Sequence, residues 1–150
     1  MNEKRSFHQI SDSDMFFTWG ASTHVGNIRT QNQDYFGITN TFIAVADGMG
    51  GHNGGEVASE TAIKELLQKQ RFNTVKEVAD QVTLANRAVN VRAQENPNLI
   101  GMGTTLCAIS YMELPSDLPK LVVVNVGDSR VFVLAEGKLQ QITQDHSLVE

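Results

Sequence analysis

The chain has 150 residues, 41% hydrophobic and 19% charged, the balance of a folded globular protein with enough length for one domain and a sizeable core. A formal net charge of −5 excludes non-specific nucleic-acid binding, which needs a basic surface to release counterions. Cys107 is the only cysteine, which excludes an internal disulfide and a cysteine-built zinc site; in the apolar run Leu106-Cys107-Ala108-Ile109 it reads as a small core residue.

Residues 1–14 are polar, lack the apolar stretch of a signal peptide, and read as a flexible lead-in to a domain over residues 15–150. No run approaches the ~18 apolar residues of a membrane span, so no membrane partner is expected and the cytoplasm is the expected location. Residues 16–22 are an aromatic-rich strand candidate, and residues 23–34 a polar loop. Phe42-Ile43-Ala44-Val45-Ala46 reads as a buried strand ending at Asp47, with a glycine-rich turn over residues 48–55.

A helix should follow, with Glu56 and Glu60 in its first turns and an apolar stripe of Ala58, Ala62, Ile63, Leu66 and Leu67. A second helix should start at the capping box Thr74–Glu77, present Val75, Val78, Val82, Ala85 and Val89 as its apolar stripe, and stop before Asn96-Pro97. Residues 104–111 and 121–126 are strand candidates around a proline-containing loop, 114–119. Residues 130–135 and 138–142 read as a hairpin joined through Glu136-Gly137. Strands, two helices, then strands indicate an α+β domain with helices on an antiparallel sheet.

The chemistry concentrates in Ala46-Asp47-Gly48-Met49-Gly50-Gly51-His52. A carboxylate at a strand end has a fixed position, and glycines after it let a backbone carbonyl approach the same point. Hard divalent cations take such oxygens. Two rival readings stand beside this one. A phosphate-cradling loop lacks a Gly-Lys-Ser/Thr ending, and the spacing from Gly48 and Gly50 reaches Asn53 instead of a third glycine. A plain Asp-Gly turn is the commoner meaning of that dipeptide. Upstream, Arg29 suits bidentate phosphate recognition, and Asp34 is a second carboxylate for the same centre.

Five stretches together resemble the metal-dependent protein phosphatase family, protein phosphatase 2C, in its bacterial form. They are Gly26-x-x-Arg29-x-x-Asn32-Gln33-Asp34; Val45 through His52; Gly101-Met102-Gly103-Thr104-Thr105; Val126-Gly127-Asp128-Ser129-Arg130-Val131; and Ile142-Thr143-Gln144-Asp145-His146-Ser147-Leu148-Val149. The resemblance implies a four-layer α-β-β-α sandwich of two antiparallel sheets flanked by helices, here present only in part. It implies a protein serine/threonine phosphatase that uses two Mn²⁺ or Mg²⁺ ions to activate a water, with a third, weaker ion in bacterial members.

By the same resemblance Asp47 matches the bridging carboxylate, Gly48 the residue offering its carbonyl to a metal, Asp34 an acidic residue on the other metal's side, and Arg29 the phosphate-binding arginine. Asp128 matches the ligand of the third ion, and His52 is a candidate proton donor to the leaving oxygen. Ser129 and Arg130 are expected to support the local fold, and Thr104 and Thr105 carry no catalytic role. The implied partners are phosphorylated serine/threonine proteins and an opposing kinase. Family members continue beyond the point matching Glu150 and carry two further metal-site aspartates there. A longer enzyme is therefore expected, with a catalytically inactive binding or regulatory module as the alternative.

Overall fold

The computed structural model describes residues 6–11, 16–51, 54–112 and 120–146. Strand β1 (Ser6–Ser11) pairs antiparallel with β2 (Phe16–Ala21). Strands β3 (Asp34–Ile38) and β4 (Phe42–Met49) precede helices α1 (Gly54–Leu66) and α2 (Val75–Glu95). A 3₁₀ turn at Pro97–Leu99 leads into β5 (Gly103–Thr104), β6 (Leu106–Met112) and β7 (Lys120–Val126). The chain then forms a hairpin of β8 (Phe132–Ala135) and β9 (Lys138–Gln141). The main sheet is antiparallel in the order β3-β4-β6-β7, with β5 beside the end of β4.

Strand β4 sets the layers. Phe42, Ala44, Ala46 and Gly48 are buried, and the residues between them project to the other face. The buried set meets α1, whose Ala58, Ala62, Ile63 and Leu66 form the apolar stripe read from the sequence. The core closes with Phe72, whose ring lies 5.5 Å from that of Phe42, and with Val78 and Ala85 of α2. A smaller cluster of Ala58, Ala62, Val89 and Met102 joins the two helices to the approach of β5. Two helices on one face of an antiparallel sheet are one α-on-β pair of the expected four-layer sandwich. The opposite face is open, with Val45 46% exposed. Among the described residues no helix is long and apolar enough to cross a membrane.

Helix α2 begins as expected: Thr74 is the N-cap, and its Oγ1 accepts the Glu77 N–H at 3.1 Å. The return bond differs from a standard capping box, because the Glu77 carboxylate accepts from the Asn73 N–H and from the Lys69 ammonium. The helix ends at Glu95, before Asn96-Pro97. The β8–β9 turn uses Glu136 and Gly137 at φ 51° and 74°, the left-handed pair a two-residue hairpin requires.

Three expectations need correction. Residues 6–11 are not a lead-in but strand β1, because all six pair with β2, a partner no local pattern reveals. Strand β4 does not end at Asp47; Gly48 and Met49 continue it by pairing with Thr104 and Gly103. Val75 points to solvent at the first turn of α2, and Gln81 takes a buried place instead, donating its Nε2–H to the Glu65 carbonyl at 2.7 Å. The 114–119 loop lies outside the described residues.

Ile63 is fully buried between α1 and β3–β4, so Ile63→Ala should cost about 2–5 kcal/mol, read as a lower urea midpoint at unchanged m-value. Leu84→Ala, on the solvent side of α2, should cost about 0.5 kcal/mol or less in the same measurement.

Candidate metal centre

The β3–β4 register sets Asp34 directly opposite Asp47. Both lie on the face away from the helices, where Asp47 alternates with the buried Ala46 and Gly48. The loop before β3 is tied down by Asn32, whose Oδ1 accepts the Asp34 N–H at 3.0 Å and whose Nδ2 donates to Thr23 Oγ1 at 2.8 Å. The carboxyl of Asp34 titrates above the ordinary carboxylate value. Surrounding protein that displaces water from it is the main cause, followed by the negative charge of Asp47 and a hydrogen bond to it; the Arg29 guanidinium pulls the other way.

Backbone packing fixes the turn after Asp47. The Gly48 N–H donates to the Gln33 carbonyl at 3.1 Å, and Ser59 of α1 donates to the same carbonyl at 2.6 Å. A Cβ at Gly48 would collide with the Gly55 carbonyl, and one at Gly55 would come within 2.7 Å of the Gln33 side chain. The glycines here therefore serve close approach between β3, β4 and the first turn of α1. Gly50, at φ 145°, supplies the reversal that leads into the helix.

Asp47 opens onto a cleft of about 830 Å³. Arg29 and Gln33 line it from the β3 side, Gly48 and Met49 from β4, and Gly127, Asp128 and His146 from the far side. The far side is held by the last motif folding back on the fourth. The Arg130 guanidinium makes a bidentate pair with Asp145, with Nε at 3.0 Å and Nη2 at 2.6 Å from Oδ2. The His146 N–H donates to the Gly127 carbonyl at 2.9 Å, and Asn125 Nδ2 donates to the Gln144 carbonyl at 2.9 Å.

Of the residues expected at the site, Asp34 and Asp47 come together, Arg29 acts on the charge of Asp34, and Arg29, Asp47, Gly48 and Asp128 line one cleft. His52 lies outside the described residues. Arg130 supports the fold as expected, through Asp145. Gln33, Ser59, Thr105 and His146 are the residues the sequence reading missed. Gln33, Thr105 and His146 lie inside the recognised motifs, which is the available signal for them, and nothing local singles out Ser59.

The donor set fits a hard divalent cation in kind: two carboxyl groups face each other across paired strands, beside a backbone held free of side chains. It is incomplete in number. Among the described residues no three His, Cys, Asp or Glu groups converge as a metal cluster, and Asp128 stands apart from the Asp34–Asp47 pair.

The protein phosphatase 2C family model matches residues 18–150. The chain belongs to the protein phosphatase 2C family. Among its relatives, the serine/threonine phosphatase stp of Listeria welshimeri is 36% identical, over 85% of this chain and 54% of that protein. The serine/threonine protein phosphatase PstP of Mycobacterium tuberculosis is 35% identical, over 88% of this chain and 26% of that protein. Among solved structures, the catalytic domain of PstP in complex with 2 manganese ions superposes with a TM-score of 0.69 at 31% identity, covering 99% of this chain and 57% of that one. A bacterial serine phosphatase gives a TM-score of 0.70 at 30% identity, with the same coverage. The chain thus spans about half the length of the stp relatives it matches, and its α+β arrangement is that of the protein phosphatase 2C fold.

Two outcomes test the geometry. Gly48→Ala should destabilise by about 3 kcal/mol or more, because its Cβ meets backbone that cannot rotate away; Gly51→Ala, with nothing within 4 Å, should stay within about 0.5 kcal/mol by thermal or urea unfolding. The Arg130 pair holds the Asp145 carboxyl below its ordinary value. A lowered folded value means the pair contributes stability above the unfolded pKa and loses it as pH falls through the folded one. The carbon-13 titration of Asp145 should therefore have a midpoint below the usual carboxylate, and Arg130→Gln should return it toward that value.

Proposed function

We propose that this chain supplies the Asp34–Asp47 side of the metal centre of a protein serine/threonine phosphatase. The observation that carries the reading is the opposed pair Asp34 and Asp47, of which Asp47 also lines the cleft that holds Arg29. Asp47 is assigned as the bridging carboxylate, Gly48 as a carbonyl donor, Asp34 as a ligand on the second ion's side, and Asp128 as the ligand of a third ion. Arg29 offers parallel N–H donors to phosphoryl oxygens and orients the phosphate in the cleft. His52 is assigned as proton donor to the departing serine or threonine oxygen, since imidazole titrates near neutrality.

Mn²⁺ or Mg²⁺, when bound, supplies an acidified water and neutralises charge on the phosphoryl group. The two manganese ions in the PstP complex support this choice of metal for the family. The substrates proposed are phosphoserine and phosphothreonine proteins in the cytoplasm, opposite a serine/threonine kinase. A second reading, a catalytically inactive binding or regulatory module, draws on the incomplete donor set among the described residues.

An aryl-phosphate assay separates the two, run on this chain and on a polypeptide extended to the length of its relatives. The enzyme reading expects turnover in the longer protein that needs Mn²⁺, stops on chelation, and falls about a thousandfold or more in Asp47→Asn. Turnover that survives chelation or Asp47→Asn refutes the metal mechanism. A longer protein with no turnover in saturating Mn²⁺ favours the module.

A further inference from the structure

The β4 ladder has a gap at Asp47. Register is the same on both sides of it, with Val45 opposite Cys107 and Gly48 opposite Thr104, so Thr105 faces Asp47. At that point the backbone exchange is only half made. The Thr105 N–H donates to the Asp47 carbonyl at 2.9 Å, but the Asp47 N–H donates to the Thr105 side-chain hydroxyl at 3.1 Å. The Thr105 carbonyl is taken by the Thr104 hydroxyl at 2.9 Å, and the same hydroxyl lies 3.0 Å from the Asp47 carbonyl. A regular antiparallel pair would tolerate any side chain here. This one depends on two hydroxyls.

The Thr105 hydroxyl also reaches across the cleft. It lies 2.6 Å from the Ser129 hydroxyl, in the turn that carries Asp128. That turn packs on the Thr105 methyl: Gly127 sits at φ 94°, and a Cβ there would lie 2.9 Å from Thr105 Cγ2. Thr105 itself is 8% exposed, so water is a poor substitute for its hydroxyl's protein partners. One side chain thus holds the backbone of Asp47 on one wall and the Gly127–Ser129 turn on the other, two strands away.

We propose that Thr105 is a positioning residue for the metal centre, and that the chain Asp47 N–H, Thr105 hydroxyl, Ser129 hydroxyl sets Asp47 and Asp128 in one cleft. The proposal deepens the metal reading above and rests on it. Without the hydroxyl the Asp47 N–H must go unpaired or the ladder must close onto the Thr105 carbonyl. Either change moves the Asp47 backbone, and with it the carboxylate.

The test uses Thr105→Val, which keeps the shape and drops the hydroxyl, Thr105→Ser, which keeps the hydroxyl, and Ser129→Ala, in the longer polypeptide. Hydrogen exchange at the Asp47 amide reads the link itself, and titration with Mn²⁺ alone reads its consequence. Thr105→Val should exchange Asp47 about tenfold faster and bind Mn²⁺ about tenfold more weakly, as loss of an outer-shell partner does. Thr105→Ser should stay within about twofold of the parent, and Ser129→Ala should fall between. Parent-like exchange in Thr105→Val, or equal loss in Thr105→Ser, overturns the proposal. If Thr105→Val fails to fold, Ser129→Ala decides: weaker Mn²⁺ binding supports the link, and parent-like binding overturns it. A parent protein that binds no Mn²⁺ refutes the metal reading instead, and the Asp47 amide exchange still decides the link.

Discussion

The close approach of β4 to the first turn of α1 is the contact on which the rest of the molecule depends. Gly48 and Gly55 meet backbone to backbone, with Gln33 wedged beside them and its carbonyl bonded by both the Gly48 N–H and the Ser59 hydroxyl. No side chain fits between them. Because the helix is held this near, the small residues Ala44, Ala46, Ala58 and Ala62 make up much of the interface, and the large ones, Phe42, Ile63, Leu66 and Phe72, fill the space farther along. A larger residue at either glycine would lift the helix off the sheet and empty that core.

The same contact governs the chemistry. Strand alternation means that burying Ala46 and Gly48 against the helix sends Asp47 to the opposite face. There it meets Asp34, and two carboxylates at paired positions are unfavourable for each other. Burial first, and the charge of Asp47 second, raise the pKa of Asp34. Folded proteins keep such repulsions where a cation or a proton relieves them, which is why the pair carries the functional reading more than any single motif residue does.

The open face gives this arrangement its context. Beyond Asp47, the outward side of β4 and much of β8–β9 expose apolar side chains, including Leu134 at 71% and Leu139 at 68%. Yet the turn holding Asp128 is well ordered by local bonds: Arg130 to Asp145, His146 to Gly127, Asn125 to Gln144, and Thr105 to Ser129. The far wall of the cleft is thus built by hydrogen bonds between motifs, where the near wall is built by packing. The polar side chains Ser129, Arg130 and Asp145 of the fourth and fifth motifs carry these bonds.

Local pattern carried both helices, the capping residue Thr74, the stop before Asn96-Pro97, the β8–β9 turn and the central strand, because each rests on spacing or on a residue's own backbone preference. The ordered motifs carried the family, and they single out Asp34 and Asp47, which the fold sets opposite each other. What required the tertiary structure was every feature defined by a distant partner. Strand β1 exists through β2, and β4 extends past Asp47 through β5. Gln33 and Ser59 matter through the bonds that the Gly48 N–H and the Ser59 hydroxyl make to the Gln33 carbonyl, 15 and 26 residues apart, and Thr105 through one 58 residues away. Sequence alone determined which residues could form a hard-cation site; only the folded chain decided which of them face one another and what holds them there, because hydrogen bonds across strands leave no periodic trace in either strand.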